Sequence, residues 1–212
     1  MASSETRQRM IDAAARMFQQ SGYHATSWRD LVQEAGTPWG SAFHHFPAGK
    51  HELGCAAVEQ AGERGAQLVR ASFLYFPSPA EAVRAWVKLN ADTLEQSGFA
   101  DGCPIAGVAA DADVSEQALR KACSVAWSAL CEAIAEALIA NGVSKPRARA
   151  LATLTVSTVE GGLLLSRASQ SVTPLRQVGA ELAALLEAAC GAPARPQPPS
   201  RVPRGAQKKR TR

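Results

Sequence analysis

Between one glycine or proline break and the next, apolar residues recur three and four positions apart, the spacing of one face of an α-helix. No segment sustains a period of two. This pattern confines the chain to an all-α fold of about nine helices. Ile11, Ala14, Ala15 and Phe18 share one face of the first, which Gly22 ends. Ser27 and Asp30 form a capping box that opens a second helix, with Leu31 and Val32 as its apolar pair and Gly36 as its close. Thr37 is placed as N-cap and Pro38 at the first helical position of a short third helix, which Phe46-Pro47 ends after His45. A long helix follows from about Lys50 to Leu74. Beyond Pro77-Ser78-Pro79, a helix carries Val83, Trp86, Val87, Asn90 and Leu94. A loop spans Gly98 to Pro104, and a short segment reaches about Asp111. Ser115 to Gln117 opens a long helix bearing Cys123, Trp127, Leu130, Cys131, Ile134 and Leu138, stopped by Gly142. Lys145-Pro146 opens a Leu- and Thr-rich helix containing Gly161-Gly162. After Val172-Thr173-Pro174, the last helix aligns Val178, Leu182, Leu185, Leu186 and Ala189.

The net charge of +4 suggests nucleic acid until it is located. Arg195, Arg201, Arg204, Lys208, Lys209, Arg210 and Arg212 all lie in residues 191–212, which hold no acid. Removing those seven from the 23 basic residues leaves 16 against 19 acidic, so the body is negative. The first 50 residues are only slightly positive. Charge is therefore no argument for a DNA-binding surface. The tail, rich in proline and cation, is expected to be disordered. Its charges either tune DNA affinity or merely solubilise the chain.

Five scattered cysteines without a Cys-x-x-Cys pair form no disulfide framework, and their odd number fits a reducing cytoplasm. No run of about 18 uninterrupted apolar residues predicts a membrane span, and the N-terminus has no signal-like apolar run. The four histidines complete no metal-ligand spacing, and no cofactor is implied. Neither a nucleophile–base arrangement nor a phosphate loop points to an enzyme.

Three short helices, the second and third joined by a turn at Gly36, describe a helix-turn-helix. The last member of such a unit lies in the major groove, where small residues permit close approach and polar side chains donate to bases and phosphates. Gly40, Ser41, His44 and His45 supply this on the third helix. Thr26 and Ser27 offer hydroxyls and free N–H groups to a phosphate, and Lys50 offers a charge.

The run Ile11-Asp12-Ala13-Ala14-Ala15-Arg16-Met17-Phe18, then Gly22-Tyr23-His24-Ala25-Thr26-Ser27, then Ala35 to Pro47 with its His44-His45-Phe46-Pro47 end, resembles the DNA-binding domain of the tetracycline-repressor (TetR) family. Gly102-Cys103-Pro104-Ile105 is similar to a segment in a subgroup that includes repressors of drug-efflux genes. The resemblance implies an all-helical homodimer that reads a palindromic double-stranded operator. A small effector, apolar or drug-like, would release it. It implies three parts: a DNA-binding domain over residues 1–50, a helical effector-binding and dimerisation domain over 51–190, and the tail over 191–212. It puts DNA contacts at Thr26, Thr37, Gly40, Ser41, His44, His45 and Lys50. Trp39 departs from the pattern, which carries lysine or arginine there. Tryptophan offers one N–H donor and an apolar face for a thymine methyl, so a changed operator preference is expected. Phe43 replaces a common tyrosine and lacks its hydroxyl.

In the body, Trp86, Asn90 and Thr93 share one helix face, and Cys123, Trp127 and Cys131 another. Trp86, Asn90, Cys103, Trp127 and Cys131 are the candidate effector-pocket residues; both tryptophans serve equally well as core. Glu160, in an apolar helix, either pairs with a cationic effector or faces solvent. Gly161 and Gly162 with Val178, Leu182 and Leu185 are candidates for a dimer interface, where close helix approach would offset the cost of mid-helix glycines, about 1 kcal/mol each. Two further readings use the same residues: a helical carrier or enzyme that keeps the head as scaffold, and a non-specific DNA binder driven by the tail.

Overall fold

The computed structural model describes residues 2–191, with side chains from residue 4. Among these residues there are nine α-helices and no strands: α1 (Ala2–Ser21), α2 (Trp28–Glu34), α3 (Trp39–His45), α4 (Lys50–Tyr75), α5 (Pro79–Gln96), α6 (Pro104–Asp111), α7 (Gln117–Ala140), α8 (Lys145–Ser169) and α9 (Thr173–Gly191). Gly191 is the last residue of α9, and the rest of the expected basic tail lies outside the described residues.

Local chemistry sets most boundaries. Gly22 takes φ +83° after α1, a conformation that side chains with a Cβ adopt poorly. The Ser27–Asp30 capping box is present in full at the start of α2. Ser78 accepts from the Glu81 amide, with Pro79 in the first turn of α5. Two starts move by a residue. The N-cap of α3 is Pro38 rather than Thr37, because the Thr37 hydroxyl turns inward to donate to the Ala35 carbonyl at 3.3 Å. The N-cap of α7 is Glu116, because Asp113 takes both the amide and the hydroxyl of Ser115.

Head and body share one contiguous core. Met10, Ile11, Ala14 and Phe18 of α1 pack with Leu31, Val32, Ala42, Phe46 and Leu53, and this cluster continues into the body through Ile105, Val108 and Leu119. Parallel α4 and α7 form the most extensive seam: a Cβ on Gly62 would lie 2.5 Å from the Ala126 Cβ and 2.7 Å from its Cα. By length and composition α7 could cross a membrane, but 44% of that apolar window is buried inside this fold. Packed beside it, α8 carries α9, and α5 lies against α9 to complete the body.

Candidate nucleic-acid interface and the cleft behind it

The turn between α2 and α3 is held by the Thr37 amide, which donates to the Val32 carbonyl at 3.1 Å, and by Gly36 at φ +57°. Ala42 is the buried anchor of α3. The opposite face presents Trp39, Gly40, Phe43 and His44 to solvent, with Ser41 and His45 half-buried beside them. The Phe43 ring sits 5.6 Å from Trp39 and 5.3 Å from Trp28. Phe43 is thus the centre of an aromatic cluster rather than only a tyrosine without its hydroxyl. Trp39 is 52% exposed, a large apolar surface for a position expected to face a groove.

The hydroxyl expectations change. Thr26 is buried, and its Oγ1 donates to the Gly22 carbonyl at 2.8 Å, tying down the end of α1. Thr37 is buried as well. The Ser27 hydroxyl and amide are both engaged by Asp30, whose carboxylate occupies the end of α2 that a phosphate would approach. Satisfying internal donors took precedence over exposing them. Lys50 is also drawn inward: its Nζ lies 4.1 Å above the Tyr23 ring, and burial lowers its pKa against the opposing pull of Glu116 and Asp111.

Behind the head lies a polar junction that carries no local sequence signal, since its partners are distant in the chain. The His24 amide donates to Asp111 Oδ2 at 3.1 Å, and the His24 ring approaches Glu116 at 3.9 Å. Burial, then Glu116, pushes the Tyr23 phenol up to about 12. Arg167 of α8 donates to the Gln19 and Gln20 carbonyls at 3.3 and 3.1 Å, placing a cation on the C-terminal end of α1. A Cβ on Gly107 would collide with the Phe18 carbonyl oxygen, so α6 lies directly against the α1 backbone.

A cleft of about 490 Å³ opens between α1, α6 and α8, lined by Phe18 to Gly22, Gly102, Cys103, Ala106, Gly107, Ala110, Asp111, Glu160, Gly161, Leu163, Leu164 and Arg167. Inside it the Cys103 thiol donates to Glu160. Burial pushes the Glu160 carboxyl up to about 7, and burial with the adjacent carboxylate raises the Cys103 thiol strongly. Glu160 therefore faces neither open solvent nor a cation of this chain. Its proton is held more tightly folded than unfolded, so stability falls as pH rises from about 4.5 to 7 and stays lower above that. A shift of this size corresponds to a cost of up to about 3 kcal/mol. Glu160→Gln is expected to raise Tm by about 5 °C at pH 8 and to leave it unchanged at pH 4.5. A variant that melts lower than the parent at pH 8 would contradict the burial of that charge.

The five candidate pocket residues divide. Cys103 lines this cleft. Trp127 and Cys131 line a separate groove with Ala109, Arg120 and Thr153, while Trp86 and Asn90 line neither. Asn90 Nδ2 donates to the Trp86 carbonyl at 2.8 Å, and Trp86 packs on the core. Neighbouring Gly161 and Gly162 point apart, because successive helical residues are rotated by about 100°. Gly161 opens on the cleft, whereas Gly162 lies under Leu175 and Val178 of the same chain, so the close approach at Gly162 is made within the chain. Val178, Leu182 and Leu185 line an outer groove between α8 and α9 with Leu154 and Thr158. Leu164 and Leu165 are exposed on α8.

Residues 10–53 match the family model of bacterial regulatory proteins, tetR family, and residues 79–181 match the C-terminal domain of LmrA/YxaF-like transcriptional regulators. An uncharacterised HTH-type transcriptional regulator of Mycobacterium tuberculosis is 36% identical over 188 residues, 85% of this chain and 93% of that protein. The HTH-type transcriptional regulator LmrA of Bacillus subtilis is 30% identical over 187 residues, 88% of this chain and 100% of that protein. Among solved structures, a cysteine mutant of the TetR-family regulator CifR, complexed with 26-bp double-stranded operator DNA, aligns with a TM-score of 0.70 at 18% identity. The match covers 84% of this chain and 94% of that one, and shows a shared fold.

Proposed function

Because this chain belongs to the TetR family of bacterial transcriptional regulators, and is a DNA-binding regulator rather than an enzyme, we propose that it acts in the cytoplasm as a homodimeric repressor that a small molecule releases from a palindromic operator. The head, residues 1–50, does the reading and the body, 51–190, does the pairing and sensing. The supporting observation is the outward face of α3, where Gly40 leaves room for a base edge and Ser41, His44 and Trp39 surround it. Thr26 and Thr37 support that face from within instead of touching DNA, and Ser27, His45 and Lys50 flank it. The α8–α9 groove at Val178 and Leu185, with exposed Leu165, supports pairing of two bodies.

A gel shift with the DNA upstream of the protein's own coding sequence tests this. The parent is expected to retain that fragment over random DNA. Replacing Ser41 and His44 together with alanine removes contacts worth about 1–3 kcal/mol each from both half-sites, so specific affinity is expected to drop at least about 100-fold. Equal retention of the parent and the double variant would remove α3 as the reading element.

A further inference from the structure

We propose that the cleft between α1, α6 and α8 is a binding site for an organic ammonium ion, with Glu160 as its counter-charge and the apolar wall of Ala106, Leu163 and Leu164 receiving its hydrocarbon body. This assignment rests on the effector-released repressor described above and names the place and chemical class of the effector.

Three observations carry it. The first is space: about 490 Å³ lies within the range of small-molecule sites, and its walls are mainly small or apolar with few polar groups, the composition such sites share. Gly161 leaves the floor open, since a Cβ there would meet nothing. The second is charge. Glu160 is a half-buried residue whose desolvated carboxyl has a neutral thiol as its partner. A desolvated carboxylate gains most from a cation that supplies the missing counter-charge. The other ionisable groups of the cleft do not fill that role. Asp111 is acidic and holds the His24 amide; Cys103 is the neutral donor; α1 contributes Gln19, Gln20 and Ser21. Arg167 lies two turns from Glu160, about 10 Å along α8. Both of its terminal nitrogens are directed at the α1 carbonyls.

The third observation is position. The cleft's walls are the elements that hold the head: α6 against the Phe18 carbonyl, Asp111 on the His24 amide, Arg167 on the end of α1. A guest that spreads α6 from α8 acts on α1 without an intermediary. Binding and DNA release are then linked reciprocally, so operator DNA weakens cation binding by the same factor.

Binding of the cation requires the ionised carboxylate. With the Glu160 proton held up to about pH 7, affinity is expected to be flat above that pH and to fall about tenfold per unit below it. The experiment titrates the full-length protein by calorimetry with tetraethylammonium, benzyltrimethylammonium and 4-phenylbutylammonium, with 4-phenylbutanol as the uncharged counterpart of the last. At pH 8 at least one ammonium ion is expected to bind, the alcohol at least tenfold more weakly than its ammonium counterpart. Glu160→Gln is expected to lose at least tenfold of the ammonium affinity, and Gly161→Leu to lose it by filling the cleft. Each variant's melting temperature reports that it is folded. The bound ammonium ion is expected to weaken retention of the operator fragment in the gel shift. Binding by none of the three ions at pH 8 overturns the proposal, as does equal affinity for 4-phenylbutylammonium and 4-phenylbutanol, or undiminished binding by folded Glu160→Gln. Absence of a specifically retained DNA fragment is a different failure, that of the repressor reading.

Discussion

Valine at Gly62 is expected to destabilise the protein by about 3 kcal/mol and to lower its melting temperature by roughly 10 °C. Helix propensity alone would favour the change, because glycine is the poorer helix former. Packing decides against it. The first added carbon would stand 2.5 Å from the Ala126 Cβ and 2.7 Å from its Cα. Neither is the far end of a flexible side chain, so α4 and α7 would have to separate along their whole seam, loosening Gly54 on Leu119 and Gly65 on Leu130. Gly161→Ala is the matched comparison: the same backbone type in mid-helix, with nothing within reach of the new carbon. It is expected to stabilise by up to about 1 kcal/mol. Opposite signs for the two glycines in thermal melts are the expected result. A Gly62→Val protein that melts at or above the parent would mean that the α4–α7 seam is looser than described.

Alanine at Phe18 is expected to cost about 3–5 kcal/mol, lowering the urea midpoint by about 2 M. The ring is fully buried and packs 5.4 Å from Tyr23. Its own carbonyl supports Gly107, so the residue serves the core of the head and the contact of α1 with α6 together. Truncation therefore leaves a cavity that the neighbouring backbone cannot close without moving α6. Amide hydrogen exchange is expected to accelerate at α1 and α6 before it does in α9. A uniform rise across all helices would instead mean that head and body open as one unit.

The helices were legible because their limits are local. Gly22, Gly36, Pro47, Pro79, Gly142 and Pro174 act within a turn of where they stand. The face of α3 was legible for the same reason. Directions of small polar side chains were not. Thr26 reads as an outward hydroxyl and Thr37 as the cap of α3, yet each closes a nearby carbonyl, and only packing around the turn decides that. Nor could helix spacing say which neighbour covers a face: Trp86 and Asn90 share one, but their amide contact runs along their own helix. Cys103 and Glu160 are 57 positions apart, and Arg167 reaches back 148 to Gln19. Pairings of that length leave no mark in periodicity. The aromatic cluster of Trp28, Trp39 and Phe43 joins two helices across the turn and leaves no local sequence mark for a similar reason.

The unbroken run of α4, from Lys50 beneath the head to Tyr75 at the far end of the body, makes it a lever arm. Its 26 residues span about 39 Å. Tilting such an arm by about 5° at its far end carries the head through roughly 3 Å, close to the 3.4 Å rise of one base step. In the proposed dimer, a pair of reading heads mounted on two such arms would measure distance along DNA as strictly as sequence. A few degrees of swing in the body would be enough to put the two heads out of step with the operator.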